Sequence, residues 1–212
     1  MPLQHKIIEE YVIANNLFSS VDAKVTEKLQ KIIQCITDNI LQNLVYVSDA
    51  CKCSTIKETH FKAITSIISS IKNQQIQMGG DPVQSSEFYG VDSGRYFSIN
   101  EVAPLETSMF SNENLARVDM VLKGGGMGST IFIDSKIVKD CVDVFMKNNK
   151  LDLKINSKAL DILTKSVQLN IMHILEAAKS AAKKRKAILT VTLLEKVRKS
   201  DPHFSQIIYA KL

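Results

Sequence analysis

Apolar residues recur at helical spacing over two long stretches of the chain. In the first, Val25, Leu29, Ile32, Ile33, Ile36, Ile40, Leu44 and Val47 follow one another mostly three or four positions apart. In the second, Leu160, Leu163, Val167, Ile171, Ile174, Leu175, Ala178 and Ala182 do the same. Such steps put side chains on one face of an α-helix, so each stretch predicts a long amphipathic helix with a dry side. The first is expected from about Ser20, with Ser19 and Asp22 as a capping box, and the second after Asn156 and Ser157, good N-cap types. The second should run to about Lys184, which at 1.5 Å per residue is roughly 40 Å. Shorter periodic segments flank both: 5–15, with Ile7, Ile8, Tyr11 and Val12 inward; 60–71; 135–148 (SKIVKDCVDVFMKN); and a closing one with Val191, Leu193, Leu194 and Val197. The order is short, long, short, an intervening stretch, then short, long, short.

Breakers fall where this order needs them. Pro2, Pro82, Pro104 and Pro202 leave 3–81 and 105–201 free of proline, and all eight glycines lie between Gly79 and Gly128. Residues 73–130 therefore separate two helical halves, 1–72 and 131–212. That middle stretch carries Phe88, Tyr89, Tyr96, Phe97, Val102, Leu105, Met109 and Phe110, too many apolar residues for a pure spacer. It is expected to pack, with a short helix from Ser111-Asn112-Glu113-Asn114 through Leu115, Val118, Val121 and Leu122, stopped by Gly124-Gly125-Gly126.

With 212 residues, 45% of them hydrophobic, the chain can bury a substantial core. No run approaches the roughly 20 apolar residues of a transmembrane helix, and MPLQHKIIEE lacks the apolar core and cleavage site of a signal peptide. A soluble protein kept inside a cell or particle is expected, with no membrane partner. Cys35, Cys51, Cys53 and Cys141 are too few and too irregular for a disulfide framework, and free thiols are expected.

The residues themselves carry a resemblance. ILEAAKSAAKKRKAILTVTLLEKVRKSDPHFSQII resembles the corresponding part of the core histone that bears the nucleosome's acidic patch, through Ile174-Leu175-Glu176, Ala181-Ala182 and the basic run ending at Lys186. IIQCITDNILQNLVYVSDACKCSTIKETHFKAI resembles the usual partner of that histone. Lys52 and Ser54-Thr55-Ile56 stand where the partner has Lys-Arg-Ser-Thr-Ile, with Cys53 in place of the arginine. The whole is similar to the histone doublets of large DNA viruses of eukaryotes. The resemblance implies a mainly α protein with two histone folds, 1–72 and 131–212, clasped head to tail within one chain around a connector, 73–130. Fusion would raise the effective concentration of the pair. It also implies a place in a virion, a viral factory or a nucleus, and partners that are double-stranded DNA, other histone-fold proteins or copies of the chain itself.

Charge shapes how that function would be carried. Residues 1–72 hold 8 basic and 7 acidic residues, residues 73–130 hold 3 and 7, and residues 131–212 hold 16 and 8. Affinity for duplex DNA without base reading comes from Lys and Arg neutralising phosphates, so the second half is the expected binder. The chain enters its first helix without a basic tail. Carried over from the family, Lys183, Lys184, Arg185 and Lys186 would join Lys24 at one end of the clasp. Lys52 and Lys57 would join Lys150, Lys154 and Lys158 at the other, and Lys6, Lys136 and Lys139 would lie on the two first helices between them. The family's minor-groove arginine has only an approximate match, Arg185. Of the family's patch carboxylates Glu176 remains, while Gln168, His173 and Ser200-Asp201-Pro202-His203 replace others, so factors anchored by arginine are not expected to bind. A rival function, in another class, is an assembly subunit of a transcription factor or structural complex with little DNA contact. The near-neutral first half and acidic connector favour it.

Other chemistry is thin. Gly124-Gly125-Gly126-Met127-Gly128-Ser129-Thr130 lacks the lysine that a phosphate loop needs before its hydroxyl residue, and reads as a hinge. Cys51, Cys53 and His60 offer three metal-type ligands without a fourth. His5, His60, His173 and His203 have no nucleophile or carboxylate at a recognisable catalytic spacing. No enzyme activity, cofactor, metal or small-molecule substrate is expected.

Overall fold

The first long helix starts later than its periodicity predicts because the residues before it are engaged elsewhere. In the computed structural model, which describes residues 3–77, 87–89, 96–98, 118, 120–122, 132–182 and 187–200, Ser20–Val21 form a short strand, β1. Asp22, in extended backbone, accepts a hydrogen bond from the Lys24 N–H at 2.9 Å and caps helix α2, Ala23–Ala50. The Ser19 hydroxyl, expected in that cap, instead donates to the Ala187 carbonyl at 3.1 Å.

The protein is mainly helical. Before α2 comes α1, His5–Ala14; after it come strand β2, Thr55–Ile56, and helix α3, Glu58–Gln77, which runs past both expected limits. The connector holds an antiparallel pair that hydrophobic periodicity did not predict: β3, Glu87–Tyr89, against β4, Tyr96–Ser98. Of its expected short helix, Val118, Met120, Val121 and Leu122 are helical, and the start at 111–115 lies outside the described residues. The second half repeats the order of the first. Helix α4, Ser135–Asn148, is capped by Asp134; β5, Lys154–Ile155, leads to α5, Ser157–Ala181; β6, Ile188–Leu189, leads to α6, Val191–Ser200. Asn156 caps α5 by accepting from the Ala159 N–H at 2.8 Å, as its sequence predicts.

The loops of the two halves are exchanged. Strand β1, before α2, pairs in parallel with β6, after α5, so that Ser20 faces Ile188 and Val21 faces Leu189. Strand β2, after α2, pairs in parallel with β5, before α5, so that Thr55 faces Lys154 and Ile56 faces Ile155. Backbone N–H groups of Ser19 and Asp22 extend the first pair, and those of Lys154 and Asn156 the second. Each long helix is thus held at both ends by the other half.

The apolar faces meet in one core that includes Ile8, Leu29, Ile33, Ile36, Ile40, Leu44, Leu163, Val167, Ile171 and Leu175, with Val118 from the connector. Each such side chain contributes roughly 1.5–3 kcal/mol when withdrawn from water, a gain that neither half secures with its long helix exposed. Buried polar groups on the long helices bond back to their own helix: Thr37 to the Ile33 carbonyl, Thr164 to Leu160, Ser166 to Ile162, and the Asn43 and Asn170 amides to Asn39 and Ser166. The halves also meet through polar groups, as where the Gln34 amide of α2 donates to the Cys141 carbonyl of α4 at 3.2 Å. The segment entering α4 straddles both halves. The Phe132 ring stacks on Tyr11 of α1 at 4.1 Å, and the buried Gln168 Oε1 on α5 accepts from the N–H groups of Phe132 and Ile133 at 3.1 and 3.3 Å.

Candidate nucleic-acid interface

Three helices end in the same way, and two of those ends are lysines. At the end of α2 the Cys53 N–H bonds to the Ser48 carbonyl and the Lys52 N–H to Asp49. At the end of α4 the Leu151 N–H bonds to Met146 and Lys150 to Lys147, and at the end of α1 Leu17 bonds to Val12 and Asn16 to Ile13. This is the Schellman geometry, which needs left-handed backbone at its turning residue. Asn16, Lys52 and Lys150 have φ of 52°, 53° and 54°. Asparagine tolerates that region, whereas a lysine there carries a Cβ conflict of roughly 1–2 kcal/mol. Lys52 and Lys150 are both exposed.

The β2–β5 pairing brings those two lysines to one end of the molecule. Lys52, Asn149 and Leu151 line the same groove, Lys154 lies across from Thr55, and Lys158 sits in the first turn of α5, close to Glu58. The Glu58 carboxyl is held below its usual range by Lys62 first, with Lys158 a minor cause. Lys57 is half-buried, and its N–H donates to His60 Nδ1 at 3.0 Å. His60 is buried, with the Ser48 hydroxyl 3.4 Å from the same nitrogen. It acts as the third-residue partner of a capping box, a part usually taken by Glu or Gln, and so ties the lysine-bearing loop to α3. Lys52, Lys150 and Lys154 have no ion-pair partner among the described residues.

The other sequence-predicted lysines are placed less favourably or lie outside view. Lys24 is exposed beside β1. Lys183, Lys184, Arg185 and Lys186, expected to join it, lie outside the described residues, as do the glycine run at 124–128 and His203. Lys6 is 3.7 Å from Glu10 and Lys139 is 3.0 Å from Asp143, so each already has an acid one turn away, while Lys136 is exposed in the first turn of α4. Of the three metal-type ligands, His60 spends Nδ1 on the backbone and Cys53 Sγ lies 3.6 Å from the Cys51 carbonyl. No group of three His, Cys, Asp or Glu among the described residues is placed to hold a metal. No described helix is long and apolar enough to cross a membrane.

Two features of this end escaped the sequence reading. A left-handed turning residue is normally announced by Gly or Asn, and Asp49-Ala50-Cys51-Lys52-Cys53 contains neither. Asp49 and Asp152, both exposed, also line the groove beside Lys52, a juxtaposition of residues about 100 positions apart that only the loop pairing produces. Compared with family models, with curated proteins and with solved structures, the chain gives no match.

Proposed function

We propose that each half is a histone fold, that the two clasp head to tail in one chain, and that the clasp binds and compacts duplex DNA without reading bases. The observation that carries this reading is the reciprocal parallel pairing of the loops, which sets Thr55 against Lys154 and gathers Lys52, Lys57, Lys150, Lys154 and Lys158 at one end. Ammonium groups on a rigid loop pair, next to the N-terminus of α5, suit consecutive phosphates on a DNA backbone. Each phosphate neutralised releases counterions, so affinity would fall steeply with salt. A second cluster, Lys183 to Lys186 with Lys24, would hold the duplex at the far end and impose a bend. Copies of the chain, or other histone-fold proteins, would extend the path.

The rival reading, an assembly subunit with little DNA contact, is favoured by one specific observation: Asp49 and Asp152 line the same groove as Lys52. A gel-shift titration of the full chain with random-sequence duplex at rising salt separates the two. Binding at low salt with a steep salt slope supports compaction, and no binding at low salt leaves the assembly role.

A further inference from the structure

His60 holds the lysine-bearing loop through a nitrogen that can take a proton. Lys57 stands just before α3, and its backbone N–H donates to His60 Nδ1 at 3.0 Å, while the His60 N–H returns to the Lys57 carbonyl at 3.1 Å. A backbone N–H can only donate, so Nδ1 is bare and the ring is neutral, with its proton on Nε2. The fully buried Ser48 hydroxyl of α2 lies 3.4 Å from the same nitrogen, and His60 is itself buried. Glu or Gln, the usual residues at this place in a capping box, keep their acceptor between about pH 5 and 8. A histidine does not. Protonation turns Nδ1 from acceptor into donor, so the Lys57 N–H faces a second donor and loses its partner, whereas the Ser48 oxygen can accept the new proton. The ring would keep its contact with α2 and drop its contact with the loop.

The loop passes directly from Lys57 into the strand pair. Ile56 gives its carbonyl to the Asn156 N–H at 3.1 Å, and Asn156 caps α5, whose first turn carries Lys158. We propose that His60 is a positioning residue that latches this loop with its neutral ring and releases it on protonation, so that the lysine-bearing end is set at neutral pH and loosened as pH falls through the ordinary imidazole range, near about 6.5. The latch belongs to the fold; its effect on DNA rests on the proposed function. The carboxylates on the surrounding elements are Glu58, 2.7 Å from the Lys62 ammonium, Asp161, 2.7 Å from Lys165, and Asp49, exposed at the end of α2. The other titratable groups there are the thiols of Cys51 and Cys53 and the ammoniums of Lys52, Lys57, Lys154 and Lys158. A proton on His60 adds to that positive charge and sits at the positive end of the α3 dipole. Histidines that gain charge without releasing anything would strengthen phosphate binding in acid. The latch predicts the opposite sign.

In the full chain, the hydrogen-exchange protection factor of the Lys57 amide, followed by NMR from about pH 7.5 to pH 5, should drop about fivefold or more, the worth of one backbone hydrogen bond. His60→Gln keeps an acceptor and does not titrate in this range, so its protection should stay level. Ser48→Ala removes the oxygen to which the protonated ring would turn, and should move the drop to lower pH. A level wild type, or an equal drop in His60→Gln, would overturn the latch. A measurement on the wild type alone gives a second check: the His60 ring C–H resonance should titrate with the same midpoint as the protection drop, and a different midpoint would refute the assignment. Gel shifts over the same range read the consequence. The affinity of the wild type relative to His60→Gln should fall about fivefold between neutral pH and pH 5, again the worth of that one bond. A constant ratio would overturn the positioning role, whereas no DNA binding at any pH, beside an intact protection step, would remove the proposed function and leave the latch.

Discussion

The carboxylate of Glu195, on the last described helix, lies 2.8 Å from the ammonium of Lys28, on the first long one, and 2.7 Å from the Arg198 guanidinium. The contact joins the two halves by charge beside core residues Leu29 and Leu194. Lys28 first, and Arg198 after it, hold the Glu195 carboxyl below its usual range. A depressed carboxyl contributes stability above its unfolded pKa and loses it as pH falls through the folded value. Glu195→Gln should therefore lower stability at neutral pH by on the order of 1 kcal/mol or less, the range of partly solvated ion pairs. Urea midpoints of the two proteins should converge in acid, below the ordinary carboxylate range.

Lys52→Gly and Lys150→Gly should separate stability from binding. Removing Cβ relieves roughly 1 kcal/mol or more of left-handed strain, offset in part by about 0.4–1 kcal/mol of added unfolded-chain entropy. Each variant should unfold at an equal or higher denaturant midpoint. Under the proposed function each should also bind duplex DNA less tightly, with the magnitude of the salt slope reduced by about 1. Lowered stability would show that the lysine side chain holds the loop rather than a ligand.

Gln168→Leu would leave the Phe132 and Ile133 N–H groups buried without their acceptor, a loss of roughly 1–3 kcal/mol for each such group. Gln168→Glu keeps an acceptor in place, at the cost of burying a charge. Thermal melts should rank the wild type above both variants. The same burial removes this position from any surface that could present a carboxylate cluster, leaving Glu176 as an exposed acid on that helix. An arginine-anchored peptide of the kind that binds a histone acidic patch should show no saturable binding.

The thiols should react in an order set by burial. Burial first, and the nearby Asp38 carboxylate second, push the Cys141 thiol up to about 11; Cys35 is raised by the same two causes. Thiolate is the reactive form, so iodoacetamide at pH 8 should spare Cys141 in the native protein and label it once urea unfolds the chain. Labelling of Cys141 as fast as that of the half-buried Cys53 would show that α4 detaches from α2.

Periodicity determined that two long helices exist and which faces they bury, though not their ends, because a step of three or four residues is a local property of an amphipathic helix. Asn156 was legible as a cap for the same reason: its acceptor reaches an N–H three residues away. What the sequence could not decide were the partners of residues far apart in the chain. Ser19 and Asp22 are both good cap types, and the pairing of β1 with β6 gave Ser19 to Ala187 and left Asp22 to cap α2. No local feature of the sequence links Lys52 to Lys150; only the resemblance groups them at one end. Their left-handed backbone has no Gly or Asn at the turning position to announce it, and the acids Asp49 and Asp152 come to lie beside Lys52 through tertiary structure, which decides which loop lies against which once the two apolar faces close on each other.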